Sequence, residues 1–300
     1  MTMPMISRRN FLKWLGRATV GGLVAGTYGV WIEPQYLLRT TVHAFIPPGW
    51  TPGLKLRIVM LADPHLIKPH MSLDRWKRII EAANHLQPDM HLLMGDYLAS
   101  HPFNTGRETF EDAAAAATQL QSPLGTYSVL GNHDWWEDKE LQRTQQGVPH
   151  AQNVFTAAGI PVLDNRAVKI IKNDKHFWLA GTQSMVAIRK GRRRFESRAD
   201  VKASHAAITD EAPLIHLAHE PDLFVELPER VSLTLSGHTH GGQVRLFGYS
   251  PVVPSQFGNR FAYGHIIEAG RHLVVSGGLG CSLLPIRIGS PPEITVLELG

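Results

Sequence analysis

The stretch "LKLRIVMLAD", residues 54–63, decides how this chain folds. It is almost unbroken in apolar side chains and ends on a carboxylate, Asp63. A run of that length and composition marks a strand buried on both faces. Helix and strand patterns alternate beyond it. "SLDRWKRIIEAANHL" sets Trp76, Ile79, Ile80, Ala83 and Leu86 at helical spacing behind Ser72 as N-cap. "DMHLLMGD" is a second strand ending at Asp96, "RETFEDAAAAATQL" a second helix, and "GTYSVLGNHD" a third strand that enters a loop at Gly131. The β-α-β-α-β order predicts a parallel sheet covered by helices. After Val162 the pattern turns to strands joined by turns: "AVKIIK", "HFWLAG", "PLIHLAH", "VSLTLSG", "HLVVSGG" and "EITVLEL". A second sheet packed on the first is the simplest way to place them.

Three hundred residues, 43% of them hydrophobic, suffice for a full core. The net charge of +4 is local. Arg8, Arg9, Lys13, Arg17 and Arg39 stand against Glu33 alone in the first 50 residues, leaving 25 basic and 25 acidic residues beyond. A neutral main domain lacks the charge excess that nucleic-acid binding needs. The single cysteine, Cys281, excludes an internal disulfide and a thiolate zinc cluster.

"SRRNFLKWLG", from Ser7, resembles a twin-arginine export signal, with Arg8 and Arg9 ahead of Phe11, Leu12 and Lys13. The segment Trp14 to Ile32 is only mildly apolar, glycine-rich and broken by Arg17, which suits such a signal better than a strong membrane span. The expected division is a leader or membrane anchor over 1–35, a linker over 36–53 around "IPPGWTPG", and the folded domain over 54–300. No clear A-x-A site comes after it, so cleavage and retention both stay open. The leader implies the export machinery as a partner and a periplasmic or membrane-anchored protein. "RKGRRRFESR", Arg189 to Arg198, carries six basic residues against Glu196. It is either a solvated loop or a basic lip for an anionic head group or leaflet surface.

The strand ends share a chemistry. "ADPHL", "MGDYL", "LGNHDWW", "LAHEPD" and "SGHTHGG" bring Asp63, His65, Asp96, Asn132, His133, Asp134, His219, His238 and His240 to the tips of runs that otherwise belong in a core. In open α/β sheets functional groups gather beyond the carboxyl ends of strands. His238 and His240, one residue apart on an extended segment, point to one side, and Gly237, Gly241 and Gly242 let that segment approach closely. His70 and His101 lie in loops soon after the first two motifs and are candidates for the cleft wall, as are Trp135 and Trp136.

These five blocks, D-x-H, G-D, G-N-H-D, a lone His and G-H-x-H, resemble the calcineurin-like metallophosphoesterases over Leu54 to Gly300. "GDY", "GHTHGGQ" and "GLGCSLLPIRIGSPPEITVLEL" look like the bacterial YkuE/YaeI-type branch. The resemblance implies an α/β fold, a four-layer αββα sandwich of two mixed sheets flanked by helices, with a dinuclear metal site at strand ends. It places Asp63, His65 and His240 on one ion, Asn132, His219 and His238 on a second, and Asp96 between them. Imidazole and carboxylate without thiolate fit two divalent ions of Mn, Fe or Zn. His133 is the implied proton donor to the leaving group, and Asp134 is either the carboxylate that orients it or a loop cap. The activity implied is hydrolysis of phosphodiester or pyrophosphate bonds by a metal-activated hydroxide. A lipid-linked substrate such as UDP-2,3-diacylglucosamine, in lipid A metabolism, is one candidate. A non-catalytic metal-binding scaffold and a Ser/Thr-type phosphomonoesterase are the alternatives.

Overall fold

The computed structural model describes residues 7–98, 101, 103–192 and 194–300. Two sheets face each other. The first runs in the spatial order Arg39–Phe45, Glu293–Leu299, Leu56–Leu61, Met90–Leu93, Thr126–Ser128. The second runs Gly264–Glu268, Arg271–Val275, Leu233–Ser236, Leu214–Leu217, Lys175–Gly181, Arg166–Lys172. Both are mixed: parallel pairs fill their centres, and antiparallel neighbours include Glu293–Leu299 on Leu56–Leu61 and the two outer hairpins of the second sheet.

Between the sheets Ile58, Met60, Leu92, Phe177, Leu179, Leu235 and Val274 form one apolar layer. On the outer face of the first sheet the helices Leu73–His85, Phe110–Ala117 and His150–Ala157 bury Trp76, Ile80, Ala113 and Phe155 against Val59, Leu61 and Val296. Ser72 caps the first of these by accepting from the Arg75 N–H, and Thr109 and Asp112 close a capping box on the second. A smaller cluster of Trp178, Leu214, Leu223 and Leu227, with Val201 against it, covers the outer face of the second sheet. The expected four-layer sandwich is the architecture found.

Two expectations about order fail. "EITVLEL" does not join the second sheet: Glu293–Leu299 inserts into the first, between the chain's two earliest strands. The expected linker 36–53 is no free connector, because Arg39–Phe45 pairs in parallel with all of Glu293–Leu299. The buried Glu293 ties this edge down, accepting from Arg39 Nη2 (2.8 Å), Thr41 Oγ1 (2.7 Å), Tyr263 Oη (2.7 Å) and the Gly277 N–H (2.8 Å).

The expected leader also divides. The helix Arg8–Thr27 buries none of its side chains, while Gly29, Glu33 and Pro34 just beyond it are buried in the domain. Glu33 accepts from the N–H groups of Gly289 (2.9 Å) and Ser290 (2.7 Å), Gly29 O accepts from Arg287 N–H (2.8 Å), and Pro34 O accepts from the Arg75 guanidinium. Among the described residues no helix is long and apolar enough to cross a membrane.

Candidate metal centre

Five strand ends, three from the first sheet and two from the second, open toward one point. Leu56–Leu61 leads into Asp63 and His65, Met90–Leu93 into Asp96, and Thr126–Ser128 through Gly131 into the short helix Asn132–Trp136. Leu214–Leu217 leads to His219, and Leu233–Ser236 to His238 and His240. Asp63, His65, Asp96, His238 and His240 all have left-handed backbones, with φ between 45° and 70°. Such a conformation is costly for residues with a Cβ, and its concentration here marks side chains turned against local preference. Glycines clear the centre. A Cβ on Gly131 would lie 2.2 Å from Asp96 Oδ1, and one on Gly237 would lie 2.6 Å from Asp63 Oδ2. Gly241 and Gly242, expected to serve the same purpose, instead make room for Ser290 and Ser250.

The ligand atoms gather in overlapping groups: Asp63 with His65 and His240, His65 with Asp96 and His133, and Asp96 with His219 and His238. Within each group they lie no more than 4.8 Å apart. Asp96 Oδ2 stands 3.5 Å from His65 Nε2 and 3.3 Å from His219 Nε2, so this one carboxylate borders both sides of the cluster. Asp63 Oδ1 is 3.8 Å from the Nε2 atoms of both His219 and His240.

Each imidazole is aimed from behind. His219 Nδ1 donates to Met94 O (2.6 Å) and His65 Nδ1 to Leu98 O (3.2 Å), while His240 Nδ1 lies 3.3 Å from both Gly280 O and the Arg287 Nη2 donor. With the Nδ1 proton held by a carbonyl, Nε2 carries the lone pair toward the centre, the arrangement that orients metal-bound histidines. His65 Nε2 and His240 Nε2 face each other at 3.1 Å. Asn132 Oδ1 and His219 Nε2 are buried without a hydrogen-bond partner. Orphaned acceptors beside two buried carboxylates fit divalent cations.

Burial sets the charge states. It raises Asp63 to about 7, pushes His65 and His238 down to about 3 and holds His240 well below its ordinary value. At Asp96 burial opposes ionisation, but the neighbouring His219 and His133 outweigh it and hold the carboxyl well below the usual range. His219 is raised in return by Asp96 against its own burial. His65, His238 and His240 are thus neutral beside an ionised Asp96, as a cation requires, while His219 keeps a proton that a bound cation would displace.

His133 belongs to the same cluster. Its N–H donates to Asp96 Oδ1 (2.7 Å), its Nε2 lies 3.4 Å from Ser282 Oγ, and its ring stands 5.1 Å from that of Trp136. Asp134 is not behind it. Its carboxylate accepts from the N–H groups of Asp96 (2.8 Å), Tyr97 (2.9 Å) and Gly131 (2.8 Å), so it caps two ligand-bearing loops. The orienting carboxylate expected for His133 is therefore a loop cap.

The two tryptophans separate as well. Trp135 is core, whereas Trp136 stacks on Phe195 and carries Arg189 over its face at 3.9 Å. His70 and His101 lie away from the cluster, His70 bonding Val30 O (3.0 Å) and stacking on Trp31. In the basic segment Lys190 and Arg198 both pair with Glu196, at 2.8 and 3.1 Å, and Arg193 lies outside the described residues. Arg287 was missed by sequence reasoning. Fully buried, it donates to Gly280 O and Ser290 O and stands 3.3 Å from His240 Nδ1. Nothing in its local pattern distinguishes it from a surface arginine.

A double sandwich of mixed sheets with this ligand set at its strand ends defines a metallophosphoesterase, and the chain belongs to the calcineurin-like phosphoesterase family, whose pattern matches residues 56–242. It is 30% identical to the uncharacterized metallophosphoesterase YkuE of Bacillus subtilis, over 99% of each chain. It is also 30% identical to the phosphodiesterase YaeI of Escherichia coli, over 98% of this chain and all of that one. A metallophosphoesterase of Aquifex aeolicus is 26% identical over 88% of this chain and 92% of its own.

Proposed function

We propose that the chain is a dinuclear metal-dependent phosphodiesterase or pyrophosphatase acting on a lipid-linked phosphoester at a membrane surface. The observation that carries the reading is Asp96, one buried carboxylate bordering His65 on one side and His219 on the other. Asp63, His65 and His240 would hold one ion and Asn132, His219 and His238 the other, with Asp96 shared. Ions so held would acidify a water and neutralise charge on phosphoryl oxygens. The chain's own residues do the rest. His133, beside the cluster and tied through its backbone N–H to Asp96, delivers a proton to the leaving oxygen. Trp136 packs beside the His133 ring, and the cap by Asp134 holds Asp96 and Gly131 in place.

The YaeI name, phosphodiesterase, supports diester over monoester cleavage. The helix with Arg8 and Arg9 at its start supports export by the twin-arginine route with the domain at the membrane's outer face. Pyrophosphate cleavage of a UDP-diacylglucosamine-type lipid in lipid A metabolism is the specific form of the reading that an anchored leader with the domain inside would serve.

The test is the full chain reloaded with Mn and given bis(p-nitrophenyl) phosphate and p-nitrophenyl phosphate. Diester cleavage is expected to exceed monoester cleavage, and His133→Ala at equal metal content is expected to lose roughly 10²-fold or more in kcat. Equal turnover in that variant would remove His133 as the donor. Bound metal without cleavage of either ester or of UDP-2,3-diacylglucosamine would leave a scaffold.

A further inference from the structure

Two cavities share a wall. One, of about 280 Å³, opens at His240 and is bounded by Gln243, Val252, Ser282, Leu284 and Ile286. The other, of about 560 Å³, is lined by the same Leu284 and Ile286 together with Val30, Trp31, Pro69 and Phe103. Among the described residues no formally charged side chain lines this larger cavity. His70, at its edge, directs Nε2 to Val30 O and lays its ring along Trp31. The volume is that of a pocket for a drug-sized ligand, and its surface suits hydrocarbon.

Three features say which hydrocarbon. The cavity adjoins the metal centre through Leu284 and Ile286, so a molecule seated at His240 reaches it by crossing Leu284, which is 48% exposed. Val30 and Trp31 in its wall continue directly from the helix Arg8–Thr27, whose Phe11, Trp14, Leu23 and Val24 are all more than half exposed. That helix also carries Arg8, Arg9, Lys13 and Arg17 and no acidic residue. A basic helix with bare apolar side chains suits an anionic lipid surface. The rim beside it is apolar and exposed in the same way, at Phe103 and Leu283.

We infer that the Trp31–Phe103–Leu284 cavity takes an acyl chain of an amphiphilic phosphoester whose phosphorus lies at the His240 side of the shared wall. This rests on the phosphodiesterase reading and adds to it the place of the chain. Each methylene that leaves water contributes about fourfold in affinity, so even partial burial of an alkyl tail is measurable.

The probes are methyl and octyl p-nitrophenyl phosphate, used with the Mn-loaded full chain below the micellar concentration of the octyl ester. The octyl ester is expected to show a KM at least about tenfold lower. Thr105→Trp, which fills the cavity, and Phe103→Ser, an exposed change that removes the rim, should each erase this difference while leaving kcat/KM for the methyl ester unchanged. A second readout needs no turnover: after chelation of metal, cis-parinaric acid should bind the wild type and fail to bind Thr105→Trp. Equal KM values for the two esters, or a chain-length effect that survives in both variants, would overturn the proposal. So would competition for parinaric acid by an apolar peptide but not by octanoate, which would give the cavity to a protein segment. Failure to cleave the methyl ester would strike the phosphodiesterase reading alone, with the parinaric acid result still deciding the cavity.

Discussion

The rings of His205 and His216 approach to 3.0 Å, and those of His65 and His240 to 3.1 Å. Burial lowers the pKa of all four. The distances hide opposite chemistry. His205 meets His216 through Nε2 and Nδ1, so one neutral ring donates to the other and the pair is satisfied by a single proton. His65 and His240 meet through their Nε2 atoms, the first ring held from behind by Leu98 O and the second by Gly280 and Arg287, with Asp63 and Asp96 alongside. Two Nε2 atoms converging beside carboxylates suit a cation. Proximity of imidazoles makes no site; the orientation imposed from behind does.

The comparison breaks most directly by substitution. His65→Ala and His240→Ala are each expected to cut metal content and to lower diester turnover by at least roughly 10²-fold, while His216→Gln leaves metal content unchanged. Elemental analysis beside a turnover assay decides, and metal loss in His216→Gln would dissolve the distinction. Arg287→Met, which frees Gly280 O and the back of His240, should weaken metal affinity by about 10–100-fold, as changes behind a ligand do. Asp134→Asn tests the cap: stability should fall by about 1–3 kcal/mol, with the pH–rate profile unmoved. A displaced profile at unchanged stability would restore the role of orienting His133.

The smallest effect belongs to the other pair. His205 and His216 are held at about 4 and about 3 in the folded chain by burial, below the unfolded value near 6.5. The folded state therefore favours their neutral forms. The stability this confers is present above pH 6.5 and is lost as pH falls through about 4 and about 3. Denaturant titrations of the metal-free protein at pH 7 and pH 5 should show a smaller drop for His216→Gln than for the wild type.

The sequence disclosed the candidate ligands because each is a polar residue at the end of an apolar run, where core preference and side-chain type conflict. Asp63, Asp96 and the pair His238 and His240 stand out on that ground alone. The layered fold came from the period of the same runs. Arg39–Phe45 escaped because an edge strand with alternating exposure, set before a Pro-Gly segment, looks like a connector. "EITVLEL" was read as a strand but assigned to the wrong sheet, since an apolar run carries no address for the sheet it enters. Arg287, and the choice between the two roles open to Asp134, escaped for a common reason. Their partners are backbone N–H and C=O groups brought together by folding, and no side-chain pattern announces those.

The residues after the first helix have a consequence for maturation. Glu33 fills two N–H groups beside Ser290, whose own hydroxyl donates to His240 O, and Gly29 O receives the Arg287 amide. The peptide between Gly29 and Pro34 is thus a clasp closed behind a ligand of the metal centre. A peptidase that trimmed the chain at Thr27 would release the exposed helix and leave the clasp shut. Trimming at Leu54 would open it, bare Glu293–Leu299 as a new sheet edge and leave buried N–H groups without acceptors. The folded body of the chain therefore begins at the end of the helix, well before the proline-rich segment that suggests its start in the sequence.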